Sequence, residues 1–223
     1  MKKISFCTTC KGRLWQLEQT LVVNTPLLDK DCELVILDYQ SPDHLREHLE
    51  TNYKEYLNDG RIKYFKLLNN YNFNCAYAKN VAHRLATGDV LFSLDADGFI
   101  SESLKAELRA LGDKEILVPR YFGNDEGTYG RLGYTKSLFY TMNGYSEFIV
   151  AMQDDDGNMR YRAIMAGVKS VHAKEKHIAI QNTSEQKVLY TDVAELTNPE
   201  IHWPLKWGIA DIETREGSFL TLD

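Results

Sequence analysis

The sequence predicts an α/β fold in which a mostly parallel sheet is covered by helices on both faces. Three observations carry this. Strand-like apolar runs alternate with stretches of helical periodicity through the first hundred or so residues. One run, Leu34–Leu37, is apolar without a break, as strands buried on both faces are, and Val90–Leu94 is apolar but for Ser93. Polar residues recur where the runs end: Thr8 and Thr9, Asp38, then Asp95 and Asp97. In such sheets ligands bind beyond the C-terminal strand ends.

Taken in order, Ile4–Thr8 is a β-prone run, followed by Leu14, Leu17, Leu21 and Val22 on one helical face. Leu34–Leu37 is the second strand. Ser41-Pro42-Asp43 is expected to open the next helix with Pro42 in its first turn, and Leu45 and Leu49 form its apolar stripe. Ile62–Leu67 reads as a strand, Ala76–Ala86 as a helix stopped by Gly88, and Val90–Leu94 as a fourth strand. The second half is less regular. Glu115–Pro119 resembles a strand, Gly123–Gly133 a glycine-rich loop, Asp154–Ala166 a helix with Met159, Ile164 and Met165 as its apolar residues, and Val168–His172 a short strand. Beyond Asn182 only the Asn198-Pro199 turn and the pair Trp203 and Trp207 stand out.

The chain has 223 residues, 26 Lys and Arg against 32 Asp and Glu, and a formal net charge of -6. That length suits one domain with a full core, and the acidic balance argues against a nucleic-acid partner. No apolar run reaches the ~18 residues of a membrane helix. The N-terminus has no apolar stretch typical of a signal peptide, and the four cysteines are irregularly spaced, so a cytoplasmic protein with reduced thiols is expected.

Asp95-Ala96-Asp97 is the sharpest motif. Two carboxylates one residue apart at a buried strand's end can share a hard divalent cation, Mn²⁺ or Mg²⁺, whose shell is completed by phosphates. The plainer alternative is a polar turn. Asp154-Asp155-Asp156 can raise a carboxyl pKa enough to make a base, or can simply cap the helix that follows. His172 and His177 can ligate a metal or sit as ordinary core or surface residues. The helix beginning near Phe73 can hold an anion at its N-terminus with Lys79 adding charge, or can be an amphipathic helix with Lys79 solvated. Cys7-Thr8-Thr9-Cys10 has redox spacing, but Cys7 is expected to point into the core. No dinucleotide or P-loop glycine pattern is present.

Four segments together resemble the GT-A fold nucleotide-sugar glycosyltransferases: ISFCTTCKGRLWQLEQTL, ELVILDYQSPD, NFNCAYAKNVAHRLATGDVLFSLDADGFI and NGYSEFIVAMQDDDGNMRYRAIMAGVK. The likeness is to family 2, with a galactosyltransferase-like C-terminal motif. It implies a Rossmann-like sheet in a single domain, 1–223, with a nucleotide-binding half at about 1–100 and an acceptor and catalytic half at about 101–223. It implies that Thr8 and Arg13 line the base and phosphate pocket, Asp38 holds uracil or ribose, and Phe73, Lys79 and Asn80 flank the donor. Asp95 with Ala96 would lie at the ribose and metal, Asp97 would ligate the metal directly, and His177 rather than His172 would complete the shell. Asp154 would be the general base. Gln153 stands where the motif usually carries Glu, and Val150-Ala151-Met152 replaces a usual Trp-Gly.

The resemblance implies a metal-dependent, inverting transfer from a UDP-sugar to an oligosaccharide, lipid-linked sugar or protein acceptor, with a peripheral visit to the membrane through a partner compatible with it. Gly123–Gly133 would be a lid over the donor. Two competing readings are a non-catalytic nucleotide-sugar or glycan-binding module on the same fold, and a nucleotidyltransferase, for which Lys11-Gly12-Arg13 is only a faint pyrophosphate loop.

Overall fold

The computed structural model describes residues 1–69, 73–120, 128–149, 154–181, 183 and 207–223. Its first half alternates as the sequence predicts: β1 (Ile4–Cys10), α1 (Leu14–Asn24), β2 (Cys32–Asp38), α2 (Leu45–Asn52), α3 (Lys54–Asn58), β3 (Ile62–Leu67), α4 (Cys75–Leu85) and β4 (Val90–Ser93). Then come α5 (Glu102–Ala110), β5 (Glu115–Val118), β6 (Gly133–Thr135), α6 (Lys136–Thr141), α7 (Asp155–Met165), β7 (Lys169–His172), β8 (Ala210–Thr214) and β9 (Phe219–Leu222). The nine strands form one sheet in the order β7-β5-β6-β4-β1-β2-β3-β8-β9. The central β4-β1-β2-β3 strands are all parallel, and β6 and β8 join this core antiparallel, one at each edge.

Alternate residues of the central strands supply two cores. Val35, Leu37 and Leu91 pack with α4, α6 and α7 on one face; Ile4, Phe6, Leu34, Ile36, Val90 and Phe92 pack with α1, α2 and α5 on the other. Both faces being covered is why the strand sequences show no alternation.

Several expectations need correction. Pro42 lies outside α2, whose N-cap is His44 in a left-handed conformation with φ 57°. The Ser41–Asp43 stretch is instead tied to β1 and α1: Ser41 Oγ donates to the Cys10 carbonyl at 3.0 Å, and Asp43 accepts from Leu14 N at 2.8 Å. Those tertiary bonds outweigh the helix-start preference. Gly88 is not the stop of α4, which ends at Leu85. A Cβ there would sit 2.9 Å from the Lys3 carbonyl, so Gly88 serves close approach to β1. Val22 faces solvent, turned away from buried Leu17 and Leu21. On α7 the buried stripe is Met159 and Ala163, while Ile164 and Met165 face outward, because only the i, i+4 face meets the sheet. Gly133 opens β6 rather than ending a loop. Residues 121–127 of that loop, Val150–Gln153, Asn182 and 184–206 with Trp203 lie outside the described residues.

The N-terminal side of the sheet carries one buried charge. Glu33 is fully buried, and its carboxylate accepts from Ser5 Oγ, Thr87 N and Thr87 Oγ1, each at 2.7 Å, while Lys3 Nζ and Lys63 Nζ lie at 2.6 and 2.9 Å. Burial alone would raise its pKa; the hydrogen bonds from Lys3, Ser5, Thr87 and Lys63 win and bring it down to about 2. The folded state therefore resists a proton that the unfolded chain accepts at its ordinary 4.5, so stability is full above that value and lost as pH falls toward 2. Glu33→Gln should remove this part of the acid dependence and cost ~1–3 kcal/mol at neutral pH. Urea denaturation of both proteins between pH 2 and 7 checks it; parallel pH slopes would assign the acid sensitivity elsewhere.

Candidate active site

β1 is the strand at which the chain crosses the sheet: β2 and β3 extend to one side, and β4 pairs on the other. The crevice above the β1–β4 ends is where such a topology places a ligand. Leu94 N donates to the Cys7 carbonyl and Thr8 Oγ1 to the Leu94 carbonyl at 2.8 Å, which fixes the chain as it leaves β4. The Asp95–Gly98 turn is then pinned from α1, with Thr20 Oγ1 donating to the Ala96 carbonyl and Asn24 Nδ2 to the Gly98 carbonyl, both at 2.9 Å. From the other side Ile180 N donates to the Asp97 carbonyl and Phe99 N to that of Ile178.

The two carboxylates of this turn converge on one cation, the guanidinium of Arg131. Its Nη2 donates to Asp97 Oδ1 at 3.0 Å, its Nε lies 3.5 Å from Asp95 Oδ2, and its Nη1 donates to the Ile178 carbonyl at 2.7 Å. The Arg131 side chain is 1% exposed, against 39% for Asp95 and 14% for Asp97. Nothing in the sequence ties residue 131 to residues 95 and 97. The antiparallel register that sets Phe92 opposite Gly133 brings them together. Gly98 is required beneath the guanidinium, since a Cβ there would lie 3.1 Å from Arg131 Cζ.

His177 is buried, sits edge-on to Phe92 at 5.7 Å, and neither ring nitrogen has a hydrogen-bond partner. Burial, helped by the Arg131 charge, lowers its pKa to about 4, so it is neutral. Among the described residues no group of three or more His, Cys, Asp or Glu side chains is gathered closely enough to hold a metal, so His177 is not assembled with Asp95 and Asp97. The donor chemistry nevertheless fits a hard divalent cation: two oxygen ligands already aimed at one positive charge, at a strand end open to phosphates. His172 is exposed at the end of β7.

The acidic run lies near this turn. Asp155 and Asp156 turn inward and Asp154 outward. Lys79 Nζ, on α4, donates to Asp155 Oδ2 at 2.8 Å and to Asp156 Oδ1 at 2.6 Å, and lies 5.1 Å from the centre of the Tyr145 ring. Lys79 is thus buried and paired rather than solvated. One ammonium between two carboxylates leaves a charge uncompensated. Burial and the Asp155 charge, against the pull of Lys79, raise Asp156 to about 6. Gly130, next to Arg131, lies against the Asp156 carboxylate with no room for a Cβ. Asp154 is exposed at the helix start with φ 45°, its carboxylate folded over Gly157, where a Cβ would collide with it.

The remaining sequence-predicted residues surround the crevice or brace it. Asp38 is buried and accepts from Tyr64 Oη and Ser41 N, both at 2.6 Å; burial outweighs these bonds and raises its pKa. Half-buried Phe73 stands edge-on to Tyr39 at 5.1 Å, with Lys11 Nζ 5.7 Å from the Tyr39 ring centre. Arg13 is the N-cap residue of α1. Thr8 and Ala96 are buried beneath the turn. Asn80 is fully buried: its Nδ2 donates to the Tyr145 carbonyl and Glu147 Oε1, and its Oδ1 accepts from Tyr145 N, so it holds the segment leading to the acidic run. Glu147 also accepts from Gly208 N at 2.7 Å. Sequence reasoning missed Arg131, Tyr145 and Glu147; the last two stand in the quoted NGYSE segment, but no spacing rule marks them.

Comparison with known proteins identifies the family and the fold. Residues 16–169 match the family described as Glycosyl transferase family 2. The chain belongs to that family. No curated protein sequence matches it. Among solved structures, a mannosyltransferase from Pyrobaculum calidifontis, in complex with GDP-Man and Mn²⁺, superposes with a TM-score of 0.63 at 17% identity, covering 77% of this chain and 54% of that one. S. aureus TarS (residues 1–349) in complex with UDP-GlcNAc gives 0.62 at 16% identity, with 82% and 60% covered. The catalytic domain of Drosophila beta1,4-galactosyltransferase 7 with xylobiose gives 0.59 at 16%, with 84% and 74% covered. This family 2 chain thus spans little more than half the length of the mannosyltransferase, and it has the GT-A architecture. Among the described residues no helix is long and apolar enough to cross a membrane.

Lys79→Met should leave Asp155 and Asp156 without the cation they share and destabilise the fold by ~3–5 kcal/mol, while Lys79→Arg, which keeps a cation, should avoid much of that loss. Denaturant midpoints of the two variants check this; equal stability of Lys79→Met and wild type would show that the pair contributes nothing net.

Proposed function

We propose that this chain transfers a sugar from a nucleoside diphosphate sugar, a UDP-sugar, to a hydroxyl of a carbohydrate-bearing acceptor, with inversion and with Mn²⁺ or Mg²⁺. The observation that carries the reading is that Gly130-Arg131 touches both acidic groups: Arg131 bridges Asp95 and Asp97, and Gly130 lies against Asp156. Family membership and nucleotide-sugar complexes among the structural neighbours support it.

In this reading Asp95 and Asp97 are the residues that would hold the metal, with His177 as a further donor if its loop turns toward them. A bound divalent cation supplies neutralisation of charge developing on the departing diphosphate. The Lys11, Tyr39 and Phe73 corner receives the base, and Asp38, already fixed by Tyr64 and Ser41, faces the uracil or ribose. Asp154 is the carboxylate of the run that Lys79 does not engage, and it is exposed to an incoming hydroxyl. It takes the acceptor proton while Asp155 and Asp156 anchor the helix start beneath it.

Asp154→Asn should preserve UDP–Mn²⁺ binding and lower transfer by ~10²–10⁴-fold. Transfer at saturating donor, measured beside UDP affinity, checks it; near-wild-type turnover moves the base to another group. Asp97→Ala should abolish Mn²⁺-dependent UDP binding without loss of fold, measured by calorimetry and circular dichroism, and unchanged affinity would remove Asp97 from the ligand set.

A further inference from the structure

Arg131 has no place in the glycosyl transfer outlined above, yet it is the most deeply buried charge of the crevice. Its guanidinium fills the position shared by Asp95 and Asp97, with two carboxylates and one carbonyl around it. Its Nε, though buried, makes no hydrogen bond at all. The arrangement therefore has two deficits: among the described residues a single monovalent cation spans two carboxylates, and that cation keeps one unused donor. Two bridged carboxylates invite a stronger cation, and a free N–H beside them suits an anion.

These two deficits are linked by the cost of separating them. A divalent cation entering alone would take the carboxylates and leave a buried guanidinium with only the Ile178 carbonyl, a poorly compensated charge. A diphosphate entering alone would meet two carboxylates. Entering together, the cation takes the carboxylates and the phosphate oxygens re-pair the guanidinium, a planar fork suited to them.

We propose that Arg131 is the resident cation of the Asp95–Asp97 pair and yields it to a divalent metal only when a nucleoside diphosphate arrives to re-pair the guanidinium. This rests on the metal-dependent reading above and adds to it an obligatory coupling between the two ligands. Arg131 acts here both as a competitor of free metal and as a phosphate contact.

The test is Mn²⁺ binding without any acceptor, read from the free-ion paramagnetic resonance signal and by calorimetry, for wild type, Arg131→Met and Arg131→Lys, each with and without UDP. In wild type, UDP should strengthen Mn²⁺ binding by at least ~10-fold. Arg131→Met should bind Mn²⁺ alone ~10-fold or more tightly than wild type and show a smaller gain from UDP. Equal or weaker binding of Mn²⁺ alone by Arg131→Met, with Mn²⁺–UDP binding intact, overturns the proposal and leaves the metal reading standing. No Mn²⁺ binding by any of the three even with UDP, or UDP binding to wild type that is equally strong in chelator, overturns both. If Arg131→Met does not fold by circular dichroism, Arg131→Lys decides: its ammonium lacks the planar fork that spans Asp95, Asp97 and the Ile178 carbonyl together, so its affinity for Mn²⁺ alone should rise several-fold, and an unchanged affinity overturns the proposal.

Discussion

The Asp95–Gly98 turn is held by four elements at once, and the rest of the site depends on that. β1 fixes Leu94, Thr20 and Asn24 of α1 fix the carbonyls of Ala96 and Gly98, the 178–180 segment pairs with Asp97 and Phe99, and Arg131 spans the carboxylates. With so many backbone groups satisfied by fixed partners, the carboxylates have little freedom to relax, which is the condition for electrostatic preorganisation. Repulsion between Asp95 and Asp97 is thereby sustained rather than dissipated, and a cation is drawn to the pair.

The same charge arithmetic recurs at the head of α7. Among the described residues, Asp155 and Asp156 share Lys79 as Asp95 and Asp97 share Arg131. Attraction is strengthened by the low dielectric of the interior, but the odd charge is strengthened with it. At α7 the surplus shows in the raised pKa of Asp156. At the β4 end Asp95 is more open to solvent, and the proposed divalent cation would meet the pair there. Gly130 and Arg131 are neighbours in sequence and touch both clusters, so the two halves of the crevice cannot move independently.

Near these clusters a buried polar network joins α4, β4, β6 and Tyr145. His83 Nδ1 donates to the Lys79 carbonyl at 2.6 Å, so its Nε2 is the acceptor for Tyr134 Oη at 2.9 Å. Burial lowers the pKa of this imidazole to about 3 and keeps it neutral. Tyr134, Tyr145 and Ser93 share their hydroxyls, and Asn80 grips Tyr145 and Glu147. Asn80, expected near the donor, also holds Tyr145 and Glu147. Such networks specify one packing because leaving any member unpaired is costly.

The strands, their order of appearance and the sharp acidic motifs were legible in the sequence because each is local. An apolar run marks a doubly covered strand, and Asp95 and Asp97 follow directly where one ends. The antiparallel additions were not legible: β6 has three residues, and the β8–β9 hairpin has short alternating strands that bind only once β3 offers an edge, through Arg46–Glu213 and Arg215–Glu50 as well as backbone pairing. Local preference also misjudged Pro42 and Gly88, where tertiary partners overrode it. Sequence by itself determined which carboxylates stand at the strand ends and that a helix follows the acidic run. Only the tertiary structure decided which cation each pair receives, because Arg131 and Lys79 reach their partners across strand register and helix packing, and a charge seeks its counterion in space rather than along the chain.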